Sequence, residues 1–201
     1  MQILPLSFYQ RKDVLEIAKD LLGKILVTNF DNQRTSGRIV ETEAYVGISD
    51  RASHSFNNKR TLRNEHMYSE AGIAYVYICY GMHQMMNVVT NDKDIPDAVL
   101  IRAVEPIEGI DTMLQRTGKK KPDFTLTRGP GNVGKALGIF KHHSGLSLNQ
   151  HELFIAQDKI STHPFDIGTS KRIGVEGAGE DGLLPYRFYV RGNRFVSGKN
   201  N

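Results

Sequence analysis

The segment GRIVETEAY sets Glu41, Glu43 and Tyr45 at alternate positions. On a strand these three side chains share one face, with Val40, Thr42 and Ala44 on the other. Two carboxylates about 7 Å apart on a strand have the spacing at which an inverting glycosidase holds acid and base around a water. Acidic residues on one strand face also describe an ordinary solvated surface. Tyr45 continues the same face, and a carboxylate beside an aromatic ring suits a site for a sugar or a base.

Arg102 interrupts the apolar run VLIRAV, so its guanidinium must be paired or point into a cleft. It could hold a structural salt bridge, or it could orient a carboxylate or a water. GPGNVGKA (129–136) matches the GxxxxGK part of a phosphate loop, but Ala136 stands where Mg²⁺ needs a hydroxyl, and no buried βαβ strand precedes it. What survives is a glycine-rich helix entry, either a plain turn or a backbone N–H cradle for a phosphate. The seven histidines show no metal-ligand spacing, and the single cysteine, Cys79, excludes an internal disulfide and reads as a small core residue rather than a nucleophile.

Lys plus Arg (26) exceed Asp plus Glu (22), a mild basic excess that permits a polyanionic partner without requiring one. The basic residues cluster in NNKRTLRN (57–64) and GKKKP (118–122), with Arg128, Arg172, Arg187, Arg191 and Arg194 beyond. Interleaved with tyrosines, these favour a nucleic acid more than either feature alone. The N-terminus has no signal-peptide pattern and no apolar run is long enough to span a bilayer, so a cytoplasmic protein without membrane contact is expected.

The positioning elements follow from periodicity. Val14, Ile17, Ala18, Leu21 and Leu22 predict a helix over 12–22 with Gly23 as its cap. Residues 24–30 and 37–45 read as a hairpin around the turn DNQRTS, and 46–66 as a loop with one or two helical turns. Strands are predicted at 73–80, 82–89 and 97–106, and helices at 107–116 and 132–140. Short strands follow at ELFIA, SKRIGV and YRFYVRG, and the chain closes on the tail GKNN. At 201 residues this makes one domain of the α+β class with a mainly antiparallel sheet. Tyr80 stands out, because an aromatic directly before Gly81 at a strand-pair turn has no core to pack against, and Asn87 stands out because it closes an apolar segment.

RIVETEAYVG, then His54-Ser55, YVYICYGMHQMMN, VLIRAVEPIEG, LTRGPGNVGKALGI, KRIGVEGAGE and RFYVRG together resemble the alkyladenine (3-methyladenine) DNA glycosylase family, over residues 4 to 197. The resemblance implies a single compact domain with a curved antiparallel sheet, flanking helices and a protruding hairpin. It implies a monofunctional repair enzyme, without metal or cofactor, that flips damaged purines from double-stranded DNA and hydrolyses the N-glycosidic bond as a monomer. Under it, Glu43 is the general base, and Arg102 and the Val175 carbonyl hold the attacking water. Tyr45, His54 and Tyr77 wall the flipped base, Asn87 rejects guanine, and Tyr80 fills the vacated stack. DNA contacts would then come from Tyr80, Gly81 and Met82, from Arg63 and Arg128, and from Gly131 and Lys135. In a bacterium such a protein would sit with the nucleoid, in a eukaryote in the nucleus. Two rival readings stay open: a sugar glycosidase using Glu41 and Glu43 as a pair, and a non-catalytic nucleic-acid-binding module.

Overall fold

A computed structural model describes residues 1–160 and 165–198, so all but Gly198 of the GKNN tail lies outside the described residues. The chain opens with β1 (Gln2–Ile3), α1 (Leu6–Tyr9), α2 (Val14–Asp20), β2 (Ile25–Phe30) and β3 (Gln33–Tyr45). Then come β4 (Ala74–Cys79), β5 (His83–Thr90), β6 (Asp97–Glu108), α3 (Ile110–Thr117) and α4 (Pro130–Leu137). It ends with β7 (Leu153–Gln157), β8 (Ile167–Ser170) and β9 (Arg187–Val190). The strands form one antiparallel sheet in the order β1-β7-β2-β3-β6-β5-β4, with β9 paired to β3 and β8 paired to β9. The class is α+β, as the element pattern predicted.

β3 is the spine. It pairs with β6 along one edge; along the other it pairs first with β2, through residues 33–38, and then with β9, through 41–43. Register shifts flank Glu41 on both sides. Such bulges sharpen the local twist and re-aim side chains. One consequence corrects the simple alternation: Val40 leaves the face of Thr42 and Ala44 and packs with Ala103, Tyr189 and Val196. Thr42 keeps the helix side, where its hydroxyl donates to the Ala18 carbonyl at 2.8 Å.

The helices cover that side. Ile17 and Leu21 of the α2 region, Met113 of α3, and Val133 and Leu137 of α4 pack against Ile39, Ile101 and Val104 of the sheet. Asp13 caps α2, accepting from the N–H groups of Leu15 and Glu16, so the helix is shorter than the periodicity suggested. The turn after β2 is also tighter than DNQRTS implied: Asp31 and Asn32 both take positive φ, and β3 starts at Gln33. β6 runs on through Ile107 and Glu108, delaying α3 to Ile110. α4 begins two residues before the expected start and ends at Gly138, φ 70°. Of SKRIGV only Ser170 is strand. The rest leaves the sheet because Arg172 turns inward to Asp50 in a buried ion pair of 2.5 Å.

The β4–β5 hairpin is held to β6 only through Asn87–Thr90. Farther out, β5 lies on α4, where glycines allow the approach. A Cβ at Gly134 would fall 2.4 Å from the Gln84 carbonyl oxygen, and one at Gly131 would fall 2.6 Å from the His83 ring. The glycines of GPGNVGKA thus have a packing task that the motif did not reveal.

Candidate active site

Cross-strand register builds the floor of a cavity of about 230 Å³. Glu43 lies opposite Leu100, Leu100 opposite Asn87, and Asn87 opposite Tyr75, one row across β3, β6, β5 and β4. Opposed residues share a face, as do residues two apart along each strand. The same face therefore carries Tyr45 on β3, Ala98 and Arg102 on β6, Met85 on β5, and Tyr77 and Cys79 on β4, all of which line the cavity. Cys79 is accordingly half-exposed at the pocket wall and not a core residue. His54, Arg63 and the 173–175 segment complete the walls, and Tyr80 stands at the mouth.

Glu43 is fully buried, contrary to the picture of a solvated acidic face, and lies behind the cavity lining formed by its partners Tyr45, Arg102 and Ile173. Its Oε1 accepts from the Ile173 N–H at 2.7 Å and faces Arg102 Nη1 at 3.3 Å, while Oε2 accepts from the Tyr45 hydroxyl at 3.0 Å. Burial pushes the Glu43 carboxyl up from the ordinary range, and Arg102, the Ile173 N–H and Tyr45 offset only part of that rise. Burial opposes the charge of Arg102, but Glu43 and Glu41 outweigh it and hold its pKa above the usual value.

Glu41 is not a second reacting carboxylate. It is fully buried and takes Arg187 Nε at 2.6 Å, Arg102 Nε at 3.2 Å and the Ser197 N–H at 2.8 Å. Arg187 and Ser197 do not line the cavity, whereas Glu43's partners Tyr45 and Ile173 do, so the two carboxylates do not flank one water and the glycosidase pairing of Glu41 and Glu43 is excluded. Arg172 and Arg187 are likewise buried pairing groups, so neither belongs to the basic surface that the sequence suggested.

The aromatic walls are tied together. The His54 ring meets Tyr77 edge-on at 4.5 Å, and its Nδ1 shares a 2.9 Å hydrogen bond with the Tyr75 hydroxyl. Burial, helped by Arg63, lowers the His54 pKa to about 4, leaving a neutral imidazole at physiological pH. Arg172 lies 4.8 Å over the Tyr45 ring, and Arg63 lies 5.5 Å over Tyr77. Asn87 Nδ2 donates to the Tyr75 carbonyl at 3.3 Å, so the amide has a fixed orientation at the floor.

The DNA-contact candidates separate. Tyr80 is 85% exposed with φ 50°, and Gly81 follows at φ 71° in a turn closed by the Met82 N–H to the Cys79 carbonyl. Met82 is exposed and Gly81 has nothing near it. Arg128 bridges to Ala103, next to Arg102, and donates to the Arg194 carbonyl. Val175 lines the cavity, and its carbonyl accepts the Ala178 N–H at 2.9 Å. Lys135 does not line the cavity; its ammonium reaches the Thr117 carbonyl at 3.4 Å. Gly131 serves the approach of α4 to His83. The sequence reading passed over Tyr75, Met85, Leu100 and the Ile173 N–H. The alternation of Tyr75, Tyr77 and Cys79 was a usable signal for the first, whereas the others needed the register.

A model of the family Methylpurine-DNA glycosylase (MPG) matches residues 7–194. The chain belongs to the methylpurine-DNA glycosylase family. It is 49% identical to a protein of Chlamydia abortus over 94% of this chain and 98% of that one. It is 46% identical to a protein of Bacillus subtilis over 96% of each, and 44% identical to one of Clostridium novyi over 99% and 100%. Each bears the name "Putative 3-methyladenine DNA glycosylase". Methylpurine-DNA glycosylases are N-glycosyl hydrolases of base excision repair. The chain is therefore an enzyme acting on DNA, and the reading as a mere binding module falls. Among the described residues no cluster of three or more His, Cys, Asp or Glu side chains could hold a metal ion, and no helix is long and apolar enough to cross a membrane.

Proposed function

We propose that the cavity receives an alkylated purine swung out of duplex DNA and that Glu43 activates the water that cleaves its N-glycosidic bond. The observation that carries this reading is a buried carboxylate, Glu43, held by Arg102, Tyr45 and the Ile173 N–H, three residues that line a cavity walled by Tyr45, Tyr77 and His54. A base within a stacked duplex keeps its glycosidic bond out of reach, so the nucleotide must leave the stack. Extrusion costs a few kcal/mol, offset in part by a side chain that fills the gap. Tyr80, already exposed at a turn tip, is that side chain, flanked by Gly81 and Met82. Arg63 and Arg128 hold nearby phosphates. Lys135 is left out of the contact set because its ammonium is directed to α3.

A purine alkylated at N3 or N7 is cationic and leaves as a neutral base when the C1′–N bond breaks. The π faces of Tyr45 and Tyr77 attract such an electron-poor ring, and the neutral His54 adds no opposing charge. As oxocarbenium character develops at C1′, the water attacks and gives one proton to Glu43. Arg102 and the second lone pair of the Val175 carbonyl hold that water. A raised Glu43 pKa makes it a better proton acceptor once ionised. Asn87 sets selectivity: its fixed amide meets the exocyclic 2-amino group of guanine and leaves it unpaired or clashing, which is costly in a buried site.

The test is base release from alkylated duplex DNA by wild type and Glu43→Gln. Free 3-methyladenine, a strand cut only after alkali, and no release by Glu43→Gln are expected. Release by Glu43→Gln at the wild-type rate would remove Glu43 from the mechanism. A strand cut without alkali would replace hydrolysis by lyase chemistry.

A further inference from the structure

We propose that Glu41, Arg187 and Ser197 are positioning residues that clamp the Arg102 guanidinium against Glu43, which makes the segment at 196–197 part of the hydrolytic machinery. The inference rests on the reading of Glu43 as the base.

The geometry leaves Arg102 one edge for that task. Its Nε is held by Glu41 at 3.2 Å and its Nη2 by the Ser197 hydroxyl at 3.3 Å, so Nη1 is directed to Glu43, 3.3 Å away. The Ser197 hydroxyl in turn donates to the Glu41 carboxylate at 2.8 Å, and its N–H donates to Oε2 at the same distance. Arg187 locks the other side: Nε to Glu41 at 2.6 Å, Nη1 to the Ser170 hydroxyl at 2.8 Å, and Nη2 to the Ser197 carbonyl. Two carboxylates thus meet two guanidiniums. Arg187 takes Glu41 at the shorter distance, and Arg102 spans both carboxylates, Nε to Glu41 at 3.2 Å and Nη1 to Glu43 at 3.3 Å. As a source of stability such a network is weak, because desolvation offsets most of its Coulomb gain. As a way to fix one guanidinium edge in a dry site it is effective, since outer partners orient the groups that react. None of the three clamp residues lines the cavity; Glu43 lies directly behind the lining residues Tyr45, Arg102 and Ile173, whereas the clamp reaches that lining only through Arg102.

The charged and titratable groups around Glu43 are Tyr45 and Glu41 on β3, Arg102 on β6, Arg187 opposite it on β9, Tyr77 on β4, and Arg172 beside the Ile173 N–H. Among them, Glu41 and Arg187 act on the reaction only through Arg102 and charge, which gives a test with signs. Single-turnover base release would be followed against pH for wild type, Arg187→Met, Arg187→Lys, Glu41→Gln and Ser197→Ala, with duplex affinity measured alongside. In Arg187→Met, Glu41 loses its nearest cation and draws Arg102 away from Glu43. The rate constant falls by on the order of 100-fold, and the acid limb moves to higher pH because Glu43 holds its proton longer. In Glu41→Gln a neighbouring negative charge disappears, so the acid limb moves to lower pH while the rate on the plateau falls. Arg187→Lys restores part of the rate, and duplex affinity stays at the wild-type value throughout. Should Arg187→Met not fold, Ser197→Ala, which removes one hydroxyl, gives a smaller shift in the same upward direction. Clamp variants that lose rate with acid limbs unmoved, or limbs that move the same way in Arg187→Met and Glu41→Gln, overturn the clamp. Full activity in Glu43→Gln instead overturns the base assignment on which it rests.

Discussion

The floor of the cavity and the tip of the β4–β5 hairpin are opposites. At the floor, both Glu43 oxygens are engaged, by Ile173, Arg102 and Tyr45, and Arg102 is itself held from behind. At the tip, Tyr80 is 85% exposed, holds a positive φ that costs a residue with a side chain about 1–2 kcal/mol, and precedes a glycine with no atom near its missing Cβ. Under the proposed function, the difference separates two kinds of work. Proton transfer needs charges fixed in advance in a dry site, since they are worth most there and cost no rearrangement at the moment of reaction. Filling a gap in a base stack needs a ring with few contacts to give up. Strain at an exposed residue is a mark of function when nothing in the free molecule repays it.

The floor is broken most by Glu43→Gln, which keeps the size of the side chain and should lower base release by about 10²–10⁴-fold, the range for a general base. In wild type the same measurement against pH should show an acid limb above the ordinary carboxylate range, because burial raises Glu43 and the proposed mechanism uses its ionised form. A limb at the ordinary range would mean that water enters and solvates the carboxylate.

Next in size is Tyr80→Gly, which removes the ring and the positive-φ cost together. Stability should stay within about 1 kcal/mol of wild type, while release from duplex DNA falls roughly 10- to 100-fold, the worth of part of the extrusion cost. An equal loss on single-stranded substrate would remove the wedge role, because there is no stack to fill. Gly134→Ala probes how the tip is seated. Its methyl would meet the Gln84 carbonyl, so the hairpin or α4 must move, at a cost of about 1–3 kcal/mol read from the denaturant midpoint. An unchanged midpoint would show that hairpin and helix are not firmly joined.

The smallest effect concerns choice among bases. Asn87→Ser should raise release of undamaged guanine by about tenfold, the worth of one relieved unpaired polar group, with little change for 3-methyladenine. Unchanged guanine release would move selectivity away from Asn87.

Much of this was legible in the amino-acid order. Apolar, β-branched and aromatic runs between turn residues located β2, β4, β5 and β6, whose consecutive residues are buried on both faces over much of their length. The Tyr80-Gly81 pair marked a turn without a core contact, and the glycosylase motifs named the candidate residues. Boundaries slipped where a local rule met a tertiary one: β6 ran past its apolar segment, and SKRIGV left the sheet when Arg172 found Asp50. The face of Val40 could not be foreseen, since a bulge depends on both strands. Only the folded register decided that Glu43, Leu100, Asn87 and Tyr75 stand in one row, because cross-strand neighbours come from residues far apart in the chain. Only the tertiary partners, not burial, decided the fates of the two glutamates, since both are fully enclosed. In sequence they are equivalent acids on one strand face; in the fold Glu41 is enclosed by Arg187 and Ser197 while Glu43 meets Tyr45 and the Ile173 N–H, both in the cavity wall. Charge in a protein takes its meaning from what surrounds it, and those surroundings are assembled from segments that the sequence keeps apart.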